Sequence, residues 1–216
     1  MIIAVDGPAA SGKGTLARRL AQHLNMAYLD TGLLYRAVGW AVIQAGRDPA
    51  DAEAAAQAAY ALRPEGLDDP ALRSVEAGKA ASLVAAVPAV RAALLDFQRA
   101  FAAEPPSQRD GAVLDGRDIG TVVCPAAPVK LFVTASVTER ARRRTKELQR
   151  SDPAISYDAV LADLKQRDAR DSQRDVAPMV PAEDAILLDT TDLDIEAAFK
   201  HALALVEARQ HGWNTA

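Results

Sequence analysis

The stretch Met1-Ile2-Ile3-Ala4-Val5-Asp6-Gly7-Pro8-Ala9-Ala10-Ser11-Gly12-Lys13-Gly14-Thr15 decides the fold. Residues 1–5 form an apolar run of strand length, and a helical pattern occupies residues 16–24. Between them the glycines let the backbone turn tightly so that its N–H groups point inward, and the start of the following helix adds positive potential. A loop of this kind cradles phosphates. Gly7, Pro8, Ala9, Ala10, Ser11, Gly12, Gly14 and Thr15 are its expected wall, and Lys13 brings a full positive charge to the β and γ oxygens of a nucleotide. The other reading, a glycine-rich turn with an exposed lysine, fits the strand–loop–helix context less well. Gly14 stands where Ser or Thr commonly follows the lysine, and Thr15 comes one residue late. Magnesium is therefore expected to rest on nucleotide phosphates and water, with Asp115 as a candidate carboxylate.

Outward from this segment, apolar runs at residues 26–29, 112–114, 129–135 and 185–188 alternate with longer helical patterns. Such alternation implies a three-layer α/β fold of the P-loop NTPase type, with a five-stranded parallel sheet covered by helices on both faces. Asp6, Asp30, Asp115 and Asp189 close four of the strand patterns. Ligands of open α/β sheets bind beyond the carboxyl ends of the strands, so these carboxylates lie near a site or cap the helices that follow. The chain between the second and third strands is too long for a simple crossover. It is turn-prone at Pro64, Gly66 and Pro70 and alanine-rich over 50–61, and reads as an inserted subdomain. A second, densely charged excursion over 137–181 reads as helical until the prolines at 178 and 181. The expected organisation is one domain over 1–216, with its core at about 1–36, 110–136 and 175–216, an acceptor-binding insert at about 37–105 and a short lid at about 145–165.

Net charge of −4 argues against a general nucleic-acid binder, so anionic ligands must be met by local basic clusters. The single cysteine, Cys124, excludes an internal disulfide framework and a multi-cysteine zinc site, and fits a reducing compartment. No run approaches the roughly 20 apolar residues of a membrane span, and no leader pattern opens the chain. A monomeric cytoplasmic protein without nucleic-acid or membrane partners is the expectation.

Two further segments place an arginine just past a strand end, where an anionic acceptor would bind: Asp30-Thr31-Gly32-Leu33-Leu34-Tyr35-Arg36 and Asp115-Gly116-Arg117-Asp118-Ile119-Gly120-Thr121. Either arginine taken alone could be a surface ion-pair partner. Arg167, Arg170, Asp171 and Arg174 recur at offsets that align them on one helical stripe, as a phosphate clamp or as an ion-pair ladder with Asp168 and Asp175. The run Glu139-Arg140-Ala141-Arg142-Arg143-Arg144 reads as the approach to the lid or as a solvated helix face.

The order Gly-x-x-x-x-Gly-Lys-Gly-Thr is similar to that of nucleoside and small-metabolite kinases, and no Asn-Lys-x-Asp guanine-reading element is present. Joined to the two strand-end segments, to residues 80–85 and 90–95, and to the run from Gln166 to Pro178, it resembles the bacterial cytidylate kinase family over most of the chain. The resemblance implies transfer of a phosphoryl group from ATP, with magnesium, to CMP or dCMP. It also implies that Arg36, Arg117 and Arg167 hold the acceptor phosphate, that Ser82, Arg91 and Asp118 read cytosine with Tyr35 in the same pocket, that Asp171 meets the sugar hydroxyls, and that Arg174 sits on the transferring group. The family commonly has a longer, strand-bearing insert than residues 62–77 offer here. A kinase of UMP, AMP or shikimate type, and a nucleotide-regulated binding module without turnover, remain the rival readings.

Overall fold

The computed structural model describes residues 1–63, 67–150 and 152–213. Pro64 and Gly66, expected at a break in the insert, and Ser151, within the expected lid, lie outside the described residues. Five strands form one parallel sheet: β1 (Ile2–Asp6), β2 (Ala27–Asp30), β3 (Ala112–Gly116), β4 (Val129–Thr134) and β5 (Ile186–Asp189), in the order β2-β3-β1-β4-β5. The pairing is in register, with Asp6 opposite Gly116 and Asp30 opposite Asp115. Every residue of β3 and all but the first of β1 are buried, because helices cover both faces of a parallel sheet. The chain leaves β1 towards β2 on one side and leaves β3 towards β4 on the other. The crevice between the carboxyl ends of β1 and β3 is thus a topological switch point, where such sheets bind ligands.

Helices α1 (Lys13–His23) and α8 (Ile195–Trp213) cover one face. Their core joins Leu16 and Leu20 to Ile3, Val5, Val113, Leu131 and Val133, each burial contributing about 1.5–3 kcal/mol. On the other face Leu29, Leu114, Ile119 and Val123 meet the aromatic rings of α5 (Pro88–Ala103). The insert has a core of its own, in which Leu34, Tyr35 and Val38 of α2 (Thr31–Gln44) meet Ala55 of α3 (Ala52–Tyr60), Val84 of α4 (Val75–Val84) and Val90 and Leu94 of α5. The described residues of 62–77 contain a 3₁₀ turn, Pro70–Arg73, and no strand, as expected. Helix α2 runs unbroken across the 36/37 border expected between core and insert.

The charged excursion contains two helices, α6 (Val137–Leu148) and α7 (Tyr157–Gln173). Ser156 starts the second by accepting a hydrogen bond from Ala159 N at 3.1 Å. Helix α7 ends before the prolines. Arg174 already has extended backbone angles, and its Nε donates to Ala177 O at 2.6 Å. Ala141, Val160 and Leu164 of this helical pair pack on Ala9 of the phosphate loop. No single helix among the described residues is long and apolar enough to cross a membrane.

Candidate active site

The loop between β1 and α1 departs from regular structure for a steric reason. Gly7 has φ +144°, and a Cβ there would stand 2.0 Å from Val133 O. Helices α3, α4, α6 and α7 each begin with a side-chain cap, from Asp51, Ser74, Ser136 and Ser156. Helices α1 and α2, which start at the ends of β1 and β2, have none, so their first N–H groups remain available to an anion.

Lys13, at the head of α1, is buried, and its Nζ lies 3.7 Å from Asp115 Oδ1. Burial, then the neighbouring Arg117, pull its pKa down to about 8 against the opposing pull of Asp115. The other carboxylate oxygen of Asp115 accepts the Tyr28 hydroxyl at 2.7 Å, and its carbonyl accepts the Thr31 hydroxyl at 2.8 Å. Gly14 follows from this arrangement. A Cβ at that position would come within 3.0 Å of Asp115 Oδ2, so the carboxylate occupies the space that a hydroxyl-bearing residue after the lysine would need. Thr15 is exposed.

A cleft of about 420 Å³ opens beside Lys13. Arg36, Arg117, Arg144 and Arg167 line it together with Asp30 and Asp115. Burial, and then Arg144, lower the pKa of Arg36 to about 10, and burial, and then Arg117, lower that of Arg167 to about 10. Arg36 is aimed by carbonyls, donating from Nη1 to Leu72 O at 2.8 Å and Ser74 O at 3.1 Å, and Gly78 leaves room for its guanidinium. Arg167 Nε is buried without a hydrogen-bond partner, with Asp171 Oδ2 3.9 Å away as an ion-pair partner only, and a buried donor without a hydrogen bond can take an anion as its acceptor.

Ser82, Arg91, Asp118, Asp171 and Arg174 form an adjoining cluster outside the lining of this cleft. Asp118 is buried and pairs with Arg91 Nη2, and Arg174 Nη2 stands 3.5 Å from its other oxygen. Arg91 in turn lies over the Tyr35 ring, 5.5 Å from its centroid. Asp118 therefore neither caps the next turn nor orients Arg117. Arg117 is held instead by Asp171, whose Oδ2 accepts its Nε at 3.1 Å. Burial raises the Asp171 pKa, but Arg117, Arg167 and Arg174 outweigh it and hold the carboxyl below its ordinary range. Ser82 Oγ bridges the two parts of the cluster, accepting from Arg170 Nη1 at 3.0 Å and donating to Asp171 Oδ1 at 3.3 Å.

The run over residues 139–144, read from the sequence as a lid approach or a solvated face, divides in the structure. Arg140 is not on a solvated face. It is buried, reaching Ala135 O with Nε, Ala9 O with Nη1, and both carboxylate oxygens of Asp168 on α7. Arg143 donates to Thr190 O at 2.6 Å, and the Thr190 hydroxyl donates to Ser11 O at 3.0 Å. The spacing of Arg140, Arg143 and Arg144 at offsets of three and four was a signal for a functional face. The mixture of charges concealed which members were inside.

A glycine-bearing loop at a helix start and a wall of arginines facing each other across a sheet's switch point are the marks of the P-loop phosphotransferase class. The particular family follows from sequence similarity. The profile of the cytidylate kinase family matches residues 3–208. A cytidylate kinase of Paramagnetospirillum magneticum is 61% identical over 97% of this chain and 99% of its own. One of Rhodospirillum rubrum is 62% identical over 95% of this chain and 97% of its own. The chain belongs to the cytidylate kinase family. A solved structure of an uncharacterised protein from Eubacterium ventriosum covers 98% of both chains with a TM-score of 0.53 at 15% identity, a likeness of fold alone.

Proposed function

We propose that the cleft transfers the γ-phosphoryl group of ATP to CMP or dCMP, releasing ADP and CDP or dCDP. The observation that carries this reading is the buried Lys13 at an uncapped helix start, facing Arg36, Arg117, Arg144 and Arg167 across one cleft. Two polyanions can share such a cleft only if cations stand between them. In this reading the backbone of residues 7–15 and Lys13 hold the donor phosphates, and Arg36, Arg117 and Arg167 hold the acceptor phosphate. Asp118, Arg91 and Ser82 read the cytosine, with Tyr35 supporting Arg91 and Asp171 available to the sugar. Cytosine offers an amino donor where uracil offers a carbonyl, so a carboxylate favours the first and repels the second. Asp118 keeps lone pairs for that donor beside its two arginine contacts.

The protein's share of the chemistry is positioning and charge neutralisation, since phosphoryl transfer asks for little covalent work from side chains. Arg174, expected on the transferring group, has Nη2 3.5 Å from Asp118 Oδ1, which supports a further proposed role in ordering the base pocket. Magnesium suits the donor set. Among the described residues no group of three or more His, Cys, Asp or Glu could cage a metal, but Asp115 supplies the single carboxylate that commonly accompanies substrate phosphates. Bound there, the ion would neutralise charge on the phosphate oxygens. We assign the enzyme to the cytoplasm on its lone cysteine, and as a monomer it should sediment near 22.9 kDa.

Acceptor-dependent ADP release measured with CMP, dCMP, UMP, AMP and shikimate tests the reading. CMP and dCMP should give the highest kcat/KM, and Lys13→Ala should lower turnover by at least about two orders of magnitude. ATP binding without acceptor-dependent release would instead support a binding module.

A further inference from the structure

The acceptor-side residues Arg117 and Asp118 lead into a single π-turn, Ile119–Val123. Val123 N and Cys124 N reach back five residues, to Asp118 O at 3.2 Å and Ile119 O at 2.7 Å. Turns of this pitch are rare, occur mostly as single turns, and need outside support. This one is gripped at both ends by charges opposed to its dipole. At the start the Asp6 carboxylate accepts from Ile119 N and Gly120 N, both at 2.8 Å. At the finish Arg99 donates from Nε to Val123 O and from Nη2 to Val122 O, both at 3.1 Å. Beneath the turn the space is filled, since a Cβ on Gly120 would meet Lys130 Cδ at 3.1 Å and Asp6 Oδ2 at 3.4 Å.

Two features tie this grip to the chemistry. Asp6 is the residue directly before Gly7, so one side chain joins the start of the phosphate loop to the acceptor segment. Arg99 shares α5 with Arg91, the partner of Asp118. Eight residues span roughly 12 Å of helix, so α5 lies along the turn and holds its entry through Arg91 and its exit through Arg99. Neither Asp6 nor Arg99 lines the cleft.

We infer that Asp6 and Arg99 are positioning residues for base selectivity, fixing the π-turn so that Asp118 keeps its place without either of them touching substrate. The inference rests on the base-reading role proposed above for Asp118. A purely structural role would lower the melting temperature and leave the choice between substrates alone.

The test compares kcat/KM for CMP and UMP, KM for ATP, and Tm in Arg99→Ala, Arg99→Lys, Asp6→Asn and Asp118→Ala. Arg99 is exposed, so Arg99→Ala should fold and serves as the deciding variant if Asp6→Asn does not. Asn keeps the size of Asp6 but offers one acceptor oxygen to two amides. Arg99→Ala and Asp6→Asn should narrow the CMP-to-UMP ratio by about five- to tenfold, with KM for ATP within about twofold of the parent in Arg99→Ala. Arg99→Lys should recover part of the ratio. If Asp118→Ala narrows the ratio and Arg99→Ala leaves it unchanged, the positioning role is wrong and the base pocket stands. If Asp118→Ala itself leaves the ratio unchanged, the base-pocket reading falls, and the positioning role with it.

Discussion

Arginines that look alike in the sequence have different surroundings, and these should separate in kinetics. Arg36 lines the cleft and is aimed by two carbonyls, whereas Arg174 is turned to Asp118. Arg36→Ala should raise KM for CMP by about tenfold or more, the cost of one lost charged hydrogen bond to a phosphate. Arg174→Ala should raise KM for CMP and narrow base selectivity. A fall in turnover at saturating CMP with normal selectivity would return Arg174 to the transferring group. Asp171 makes a different prediction, about stability. Its folded pKa lies below the ordinary aspartate value, so its contribution is present above about pH 4 and is lost as pH falls through the folded value. Asp171→Asn should therefore be clearly less stable than the parent near pH 7, by about 3–5 kcal/mol if the arginines are left as an unpaired buried cluster. The gap between their melting temperatures should narrow as both are titrated towards pH 3. A gap that stays constant would mean that the carboxylate charge is not what matters there. That Lys13, Arg36 and Arg117 meet in one cleft was legible in the sequence, because each follows the end of a parallel strand. Arg140 was only partly legible: spacing sets it on one face with Arg143 and Arg144, apart from the exposed Arg142, but its burial depends on Ala9 and Asp168, which are distant in sequence.

Helices α2 and α4 approach so closely that Gly39 faces Ala80, and a Cβ at 39 would lie 2.7 Å from the Ala80 Cβ and 2.9 Å from its backbone carbon. Since Arg36 is on α2 and Ser82 on α4, the contact spaces the cleft arginine from the base cluster. Gly39→Ala should destabilise by about 1–3 kcal/mol, read as a lower midpoint in denaturant, and should raise KM for CMP with little change in KM for ATP. Unchanged stability would mean that the helices separate freely. All five strands were legible as short apolar runs between helical patterns. The division of the charged excursion into α6 and α7 was not drawn from the sequence, although Pro153 and the cap at Ser156 were local signals for it. The π-turn had no signature of its own, since its support comes from Asp6 and Arg99, which are distant in sequence.

The molecule carries a net charge of −4, yet its cleft gathers Lys13, Lys79 and four arginines against Asp30, Asp115, Glu147 and Asp163. Attraction of nucleotides is thus local, and partly exposed cations are screened by salt. KM for CMP and for ATP should rise severalfold between about 0.05 and 0.5 M salt while turnover at saturation changes little, and a KM for CMP indifferent to salt would count against the arginine wall as the phosphate site. One property of the sheet reaches further than any of these side chains. Because Asp6 pairs opposite Gly116, the loops that lead to Lys13 and to Arg117 leave adjacent strands at the same level, about 4.8 Å apart. The hydrogen-bond ladder therefore fixes the level at which both loops start. In the reading proposed above, the spacing of the roots of the donor and acceptor loops is set by backbone pairing, and the side chains around Asp118 could be recut one by one without changing it.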